Sequence, residues 1–136
     1  MYEVSALPVI LAGLANMIIG FVWYNPKVFG DSWMHMVGLT KEKADASAKM
    51  MPVMSLIALF FAIVMAYVMA HFAIAWGVWD WIGSVELAFW LWLGFIVPPL
   101  LGAVLWERKS WKLFAINAGY WFVGLCASSL VLISFS

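Results

Sequence analysis

The chain has 136 residues, 67% of them hydrophobic and only 10% charged, with a mean hydropathy of +1.02; a soluble domain carries roughly a quarter charged residues, so this composition excludes an ordinary soluble fold. Seven basic residues balance seven acidic ones, and no excess of positive charge marks a nucleic-acid partner. The single Cys126 rules out an intrachain disulfide and reads as a small apolar residue packed inside an apolar run.

A bilayer core takes about 20 apolar residues as helix. Four runs are predicted to cross it, Val4 to Tyr24, Pro52 to Trp76, Ile82 to Trp106 and Leu113 to Phe135, giving an all-α, four-helix transmembrane bundle in a single membrane domain over residues 1–136. The N-terminal stretch MYEVSALP has no basic residue, so the first run reads as a permanent span and not as a cleaved signal.

The first span ends in WYNPKVFGDSW. Trp23 and Tyr24 suit the headgroup level, Pro26 biases Asn25 away from helical angles, and Trp33 anchors the chain as it returns. Thr40 is the predicted N-cap of a short polar helix, KEKADASAKM, in the connection between spans 1 and 2. Pro52 is expected to kink or restart the helix at the lipid boundary.

The second span carries Ala58, Ala62, Ala66 and Ala70 at four-residue intervals, a smooth stripe suited to close helix packing. Ala12, Asn16 and Gly20 form a similar stripe on the first span, and Ala115 with Gly119 on the fourth. Asn16, the one amide near mid-membrane, is expected to hydrogen-bond across helices. In the third span Pro98 and Pro99 have no N–H to offer the carbonyls of Gly94 and Phe95, which predicts a packed kink or, alternatively, a broken helix lining a polar cavity.

All seven Lys and Arg lie in the first and third connections: Lys27, Lys41, Lys43 and Lys49, then Arg108, Lys109 and Lys112. The positive-inside rule places both connections in the cytoplasm and both termini on the periplasmic or exterior side.

Ionisable groups within a span are expensive and therefore candidates for function. His71 and Glu86 lie at similar depth on spans joined by a tight turn and form a candidate outer polar pair, set against a plain interfacial role for each. At the inner rim Trp23, Tyr24, Asn25, Glu107, Arg108, Asn117 and Tyr120 form a candidate ligand-binding group, in which Glu107 either helps to bind lipid headgroups or bonds to indole N–H groups or to Asn117. No phosphate-binding glycine loop, CxxC, HExxH or Gly-x-Ser-x-Gly occurs. No catalytic residue, metal ligand set or cofactor is assigned, and His35 and His71 lie at different levels for shared haem ligation.

The run GFVWYNPKVFGDSWMHMVGLT, with WERKSWKLFAINAGYW near the end, resembles a family of small bacterial inner-membrane proteins known as domain of unknown function 1761. A G-x-x-W-Y-x-P-x-x-F-G-x-x-W pattern is matched by Gly20, Trp23, Tyr24, Pro26, Phe29, Gly30 and Trp33. A later E-x(5)-L-x(3)-N-A-G-Y pattern is matched by Glu107, Leu113, Asn117, Ala118, Gly119 and Tyr120. Pro98–Pro99 and His71 lie outside both. The resemblance implies a four-span protein of the inner membrane and no known activity.

The functional expectation is a small non-enzymatic integral membrane protein, oligomeric, that binds or passes a lipid or small ligand near the cytoplasmic rim. Its partners would be membrane lipids and copies of itself. The alternative is an accessory subunit of a larger membrane complex.

Overall fold

The structure, a computed structural model, describes residues 3–136; Met1 and Tyr2, at the head of the N-terminal stub, lie outside the described residues. Every element among them is helical. Helix α1 spans Ala6–Trp23, α2 Asp31–Val37, α3 Lys41–Ser47, α4 Met51–Ala75, α5 Trp81–Leu91, α6 Val97–Leu105 and α7 Trp111–Ser134. Four stretches are long and apolar enough to cross a membrane: Ala6–Trp23, Lys41–Ala75, Trp81–Leu105 and Trp111–Ser134. Helix is the required form for such stretches, because a bilayer supplies no water to satisfy open backbone groups. The two connections that hold all the lysines and arginines lie at one end of the bundle, called here the basic end.

Local chemistry sets where the helices begin. Thr40 Oγ1 accepts from Lys43 N–H at 3.2 Å, Asp80 Oδ1 from Gly83 N–H at 2.8 Å, and Ser110 Oγ from Leu113 N–H at 3.1 Å. Each occupies one of the orphan donors in a first helical turn. The polar helix expected after Thr40 is α3; a short 3₁₀ turn, Ala48–Met50, carries it into α4, where Pro52 sits in the first turn and restarts the helix without breaking it.

The end of α1 is more elaborate. Asn25 is extended, its Oδ1 accepts from Lys27 N–H at 2.9 Å, and a wide π-turn over Pro26–Gly30 returns the chain so that Gly30 N–H donates to the Asn25 carbonyl at 2.9 Å. A Cβ at Gly30 would collide with the Tyr24 carbonyl and stand 2.8 Å from the Asn25 carbonyl carbon. Only glycine allows the chain to fold back this tightly.

In the third span the helix does not break at Pro98–Pro99. A π-turn over Trp92–Ile96 joins α5 to α6, with Val97 N–H donating to the Trp92 carbonyl. The extra residue in this turn relaxes the clash of a proline ring with the carbonyl four positions back. Trp92 pins the turn to α7 by donating from Nε1 to the Ala118 carbonyl at 2.8 Å, with its ring 5.2 Å from that of Phe122.

Helix α7 is the hub. It packs against α1 most extensively and against α5 and α6 on its other side, while α4 leans mainly on α1. The α1–α7 contact is built from small and polar residues. Ala12 is fully buried, Ser128 Oγ donates to the Ala12 carbonyl at 3.0 Å, and a Cβ at Gly119 would come within 3.0 Å of the Trp23 ring. Ala115, expected on the same packing face as Gly119, is exposed, and Ala118, Gly124 and Ser128 are buried in its place. Between α1 and α4 the backbones come close at Gly13, where a Cβ would meet the Ile63 side chain at 2.5 Å and its backbone at 3.0 Å.

The five residues between Ala75 and Trp81 make spans 2 and 3 antiparallel neighbours at their joined ends, but the spans do not pack along their length. Instead α4 and α5 touch only weakly, and the two spans are separated by an apolar cavity of about 350 Å³. The physical reason is that each leans on a different partner, α4 on α1 and α5 on α7, both of which offer small-residue surfaces that α4 and α5 do not offer each other.

Two substitutions test this packing. Gly13→Leu should destabilise the bundle by about 1–3 kcal/mol, read as a lowered unfolding midpoint in detergent, while Gly102→Ala, with nothing within 4 Å of the added methyl, should leave the midpoint unchanged. Gly30→Ala should reduce folded yield and free the α1–α2 connection for proteolysis; protection equal to that of the parent protein would show that the turn tolerates a side chain.

Candidate functional site

The last turn of α1, the π-turn after it and the first turns of α7 bring the aromatic and amide residues of both sequence motifs together. Trp23 Nε1 donates to the Ile116 carbonyl at 2.9 Å, and Tyr24 OH donates to Asn117 Oδ1 at 2.7 Å. One turn deeper, Tyr120 OH donates to Asn16 Oδ1 at 2.7 Å. Asn16 is 1% exposed, so this bond supplies an amide that has almost no access to other partners. The rings reinforce the arrangement: Tyr24 meets Tyr120 edge-on at 5.4 Å and Trp33, brought back by α2, at 5.8 Å, while Trp23 rests on Phe29 at 4.9 Å.

This box forms one end of a groove of about 540 Å³ running between α1 and α4 and floored by α7. Asn16, Gly20 and Tyr24 of α1 form one wall, with Trp33 of α2 beside them. Ser55, Ala58, Ala62 and Met65 of α4 form the other, and Tyr120 and Trp121 of α7 lie beneath. The alanine stripe of α4 therefore has two uses: Ala66 and Ala70 are buried against neighbours, whereas Ala58 is exposed and gives the groove its width. No charged side chain lines the groove. Its polarity comes from a few hydroxyl, amide and indole groups, Tyr24, Trp33 and Ser55 toward the basic end and Asn16, Tyr120 and Trp121 deeper, and the rest of its wall is apolar.

Of the expected rim residues, the structure joins Trp23, Tyr24, Asn117 and Tyr120. Asn25 turns its side chain to the backbone of the π-turn. Glu107 and Arg108 lie exposed in the link between α6 and α7, with no hydrogen bond or ion pair among the described residues. The expected contacts of Glu107 with an indole or with Asn117 are not made, since Glu107 is held on the exposed link beyond the end of α6. Arg108 instead takes a left-handed backbone conformation with φ of 58°, and Lys109 N–H closes the end of α6 on the Ala103 carbonyl at 3.0 Å.

The outer pair is likewise not joined. His71 is exposed and packs edge-on against Tyr67 at 4.7 Å, Glu86 is exposed beside Asp80 in a hollow at the hairpin, and no hydrogen bond or ion pair connects them. Equal depth was not sufficient, since α4 and α5 separate beyond their link. Trp33, Ser55 and Trp121 belong to the groove although sequence reasoning did not assign them to a site. The only signal for them was the run of small residues opposite. Among the described residues no three or more His, Cys, Asp and Glu side chains gather where a metal ion would fit.

Interhelical hydrogen bonds within membranes average about 0.6 kcal/mol and reach about 1.7. A double-mutant cycle on Asn16→Ala and Tyr120→Phe, read by unfolding in mixed micelles, should give a coupling of about 1 kcal/mol, at the upper part of that range because Asn16 is so fully buried.

No curated protein and no solved structure matches this chain. One family does, described as "Protein of unknown function (DUF1761)", and it covers residues 7–133, which include both aromatic motifs and all but the first and last residues, Ala6 and Ser134, of the four apolar helices. With nearly its whole length matched, the chain belongs to that family.

Proposed function

We propose that the protein is a non-enzymatic, multi-pass protein of the bacterial inner membrane whose groove between α1, α4 and α7 holds a lipid or another small amphiphile at the cytoplasmic rim. The observation that carries this reading is the groove itself: about 540 Å³, with mainly apolar walls and a few uncharged polar groups, Tyr24, Trp33 and Ser55 toward the basic end and Asn16, Tyr120 and Trp121 deeper. Ligand sites of a few hundred Å³ with mainly apolar walls and a few convergent polar groups are the usual form for small molecules. The orientation draws on the confinement of all seven lysines and arginines to two connections. Lys49, Arg108, Lys109 and Lys112 then stand at the level of lipid phosphates, where each basic residue near an anionic surface contributes about 1 kcal/mol of attraction. A catalytic reading has little support, since neither Glu107 nor His71 has a nucleophile, a paired acid or a second base beside it.

Purification in mild detergent followed by native mass spectrometry tests the reading. The parent protein should retain lipid through gel filtration, and Ala58→Trp, which fills the groove from an exposed position, should weaken retention about tenfold, a loss of about 1.4 kcal/mol. Equal retention by both would rule out the groove as the site. Recovery of a larger assembly with bound partner proteins and no lipid would favour the accessory-subunit reading. For orientation, an alkaline phosphatase fused after Ser136 should be active; a fluorescent protein folding there in the cytosol would reverse the proposed topology.

A further inference from the structure

The groove does not end at Met65. The same side chain also lines the apolar cavity of about 350 Å³ between α4 and the third span, which has Val68 and Phe72 on one wall, Leu91 and Phe95 on the other and Leu125 of α7 beneath. On α7, Trp121 lines the first compartment and Leu125 the second, one helical turn apart. The two cavities thus meet along α7, the first between α1 and α4 and the second in the gap where α4 separates from the third span, with Met65 at their common wall. Along α4 the combined wall runs from Met51 to Phe72, about 31 Å at about 1.5 Å per residue. That is the whole thickness of a hydrocarbon core of about 30 Å, twice what a chain confined to one leaflet occupies.

The two compartments differ in chemistry. In the first, Tyr24 and Tyr120 already donate to amide oxygens, while the indole N–H groups of Trp33 and Trp121 and the hydroxyl of Ser55 have no hydrogen-bond partner among the described residues. These are donors that lack acceptors. Every residue lining the second compartment is apolar. An occupant that satisfies both carries acceptor oxygens, as an ester or a quinone does, in the first compartment and a linear hydrocarbon tail in the second. Methionine is suited to the constriction, since its three rotatable bonds and thioether let it move aside without loss of apolar contact.

We propose that the two cavities are the head and tail compartments of one site for a long-chain amphiphile, and that passage beside Met65 makes the site selective for tail length. This rests on the groove being a ligand site. The experiment compares didecanoyl and dioleoyl phosphatidylglycerol by native mass spectrometry titration of the detergent-solubilised full chain. A long-chain isoprenoid quinone and its short-tailed analogue form a second pair of probes.

The parent protein should prefer the long tail about tenfold within at least one pair, and the pair that shows the preference identifies whether the tail is acyl or isoprenoid. Val68→Trp, at an exposed position that lines the second compartment and not the first, should abolish the preference while leaving short-tail binding unchanged. Met65→Phe, which narrows the constriction shared by the two compartments, should likewise abolish the preference, and Val68→Trp should keep the unfolding midpoint of the parent. Long-tail preference persisting in both variants, or absent from a parent protein that does bind the short-tailed probes, would overturn the proposal and leave the groove reading intact. Binding of none of the probes by the parent would remove both.

Discussion

Helices in a bilayer gain nothing from hiding apolar side chains from one another, since lipid tails are equally apolar, so their association depends on how closely their backbones approach. In this protein that constraint falls on the face α7 turns to α1. Ala12 and Gly20 on α1 and Gly119, Gly124 and Ser128 on α7 keep that contact small, and it is crossed by hydrogen bonds from Ser128 to the Ala12 carbonyl, from Tyr120 to Asn16 and from Tyr24 to Asn117. The rest of the architecture is hung on this pair: α4 through Gly13 and Ile63, and the third span through the indole of Trp92 on the Ala118 carbonyl.

A consequence is that the bundle is not uniformly closed. With α4 committed to α1 and the third span committed to α7, the two helices joined by the shortest apolar hairpin share little surface beyond it. The gap left between them runs into the groove along α7. Cavity and groove arise where two good packing partners are unavailable at once; the cavity's walls carry the large side chains Met65, Phe72 and Phe95, which have no small-residue surface to enter.

The aromatic motifs serve structure and site together. Gly30 is needed because the chain folds back on the Tyr24 and Asn25 backbone, and this fold brings Trp33 over Tyr24. Asn117 is needed because the Tyr24 hydroxyl requires an acceptor near the interface, and Gly119 because the Trp23 ring lies against it. The residues that shape the polar end of the groove are thus largely those that attach α1 to α7. A substitution in them changes binding and stability at once, whereas Ala58 and Val68, exposed on α4, line the compartments without holding the helices together.

Length, hydropathy and capping residues alone determined the four helices, each expected end falling within two residues of the observed one, as well as the Thr40 cap, the restart at Pro52 and the hydrogen-bonding role of Asn16. These features are local or nearly so: a span is set by about 20 apolar residues in a row, a cap by one side chain and the next turn. Part of the rim site was legible for the same reason, because Trp23 and Tyr24 end one span where Asn117 and Tyr120 begin another at the same level. What only the tertiary structure decided was which helices touch. Small-residue stripes occur on several spans, and nothing local says that α4 leans on α1 and not on its hairpin partner. That choice separates His71 from Glu86, leaves Glu107 and Arg108 outside the site, turns Ala115 outward, and brings Ser55 and Trp121 to one groove. Depth along a helix can be counted in the chain, but the direction a face points is fixed only when every helix has competed for the same few close contacts.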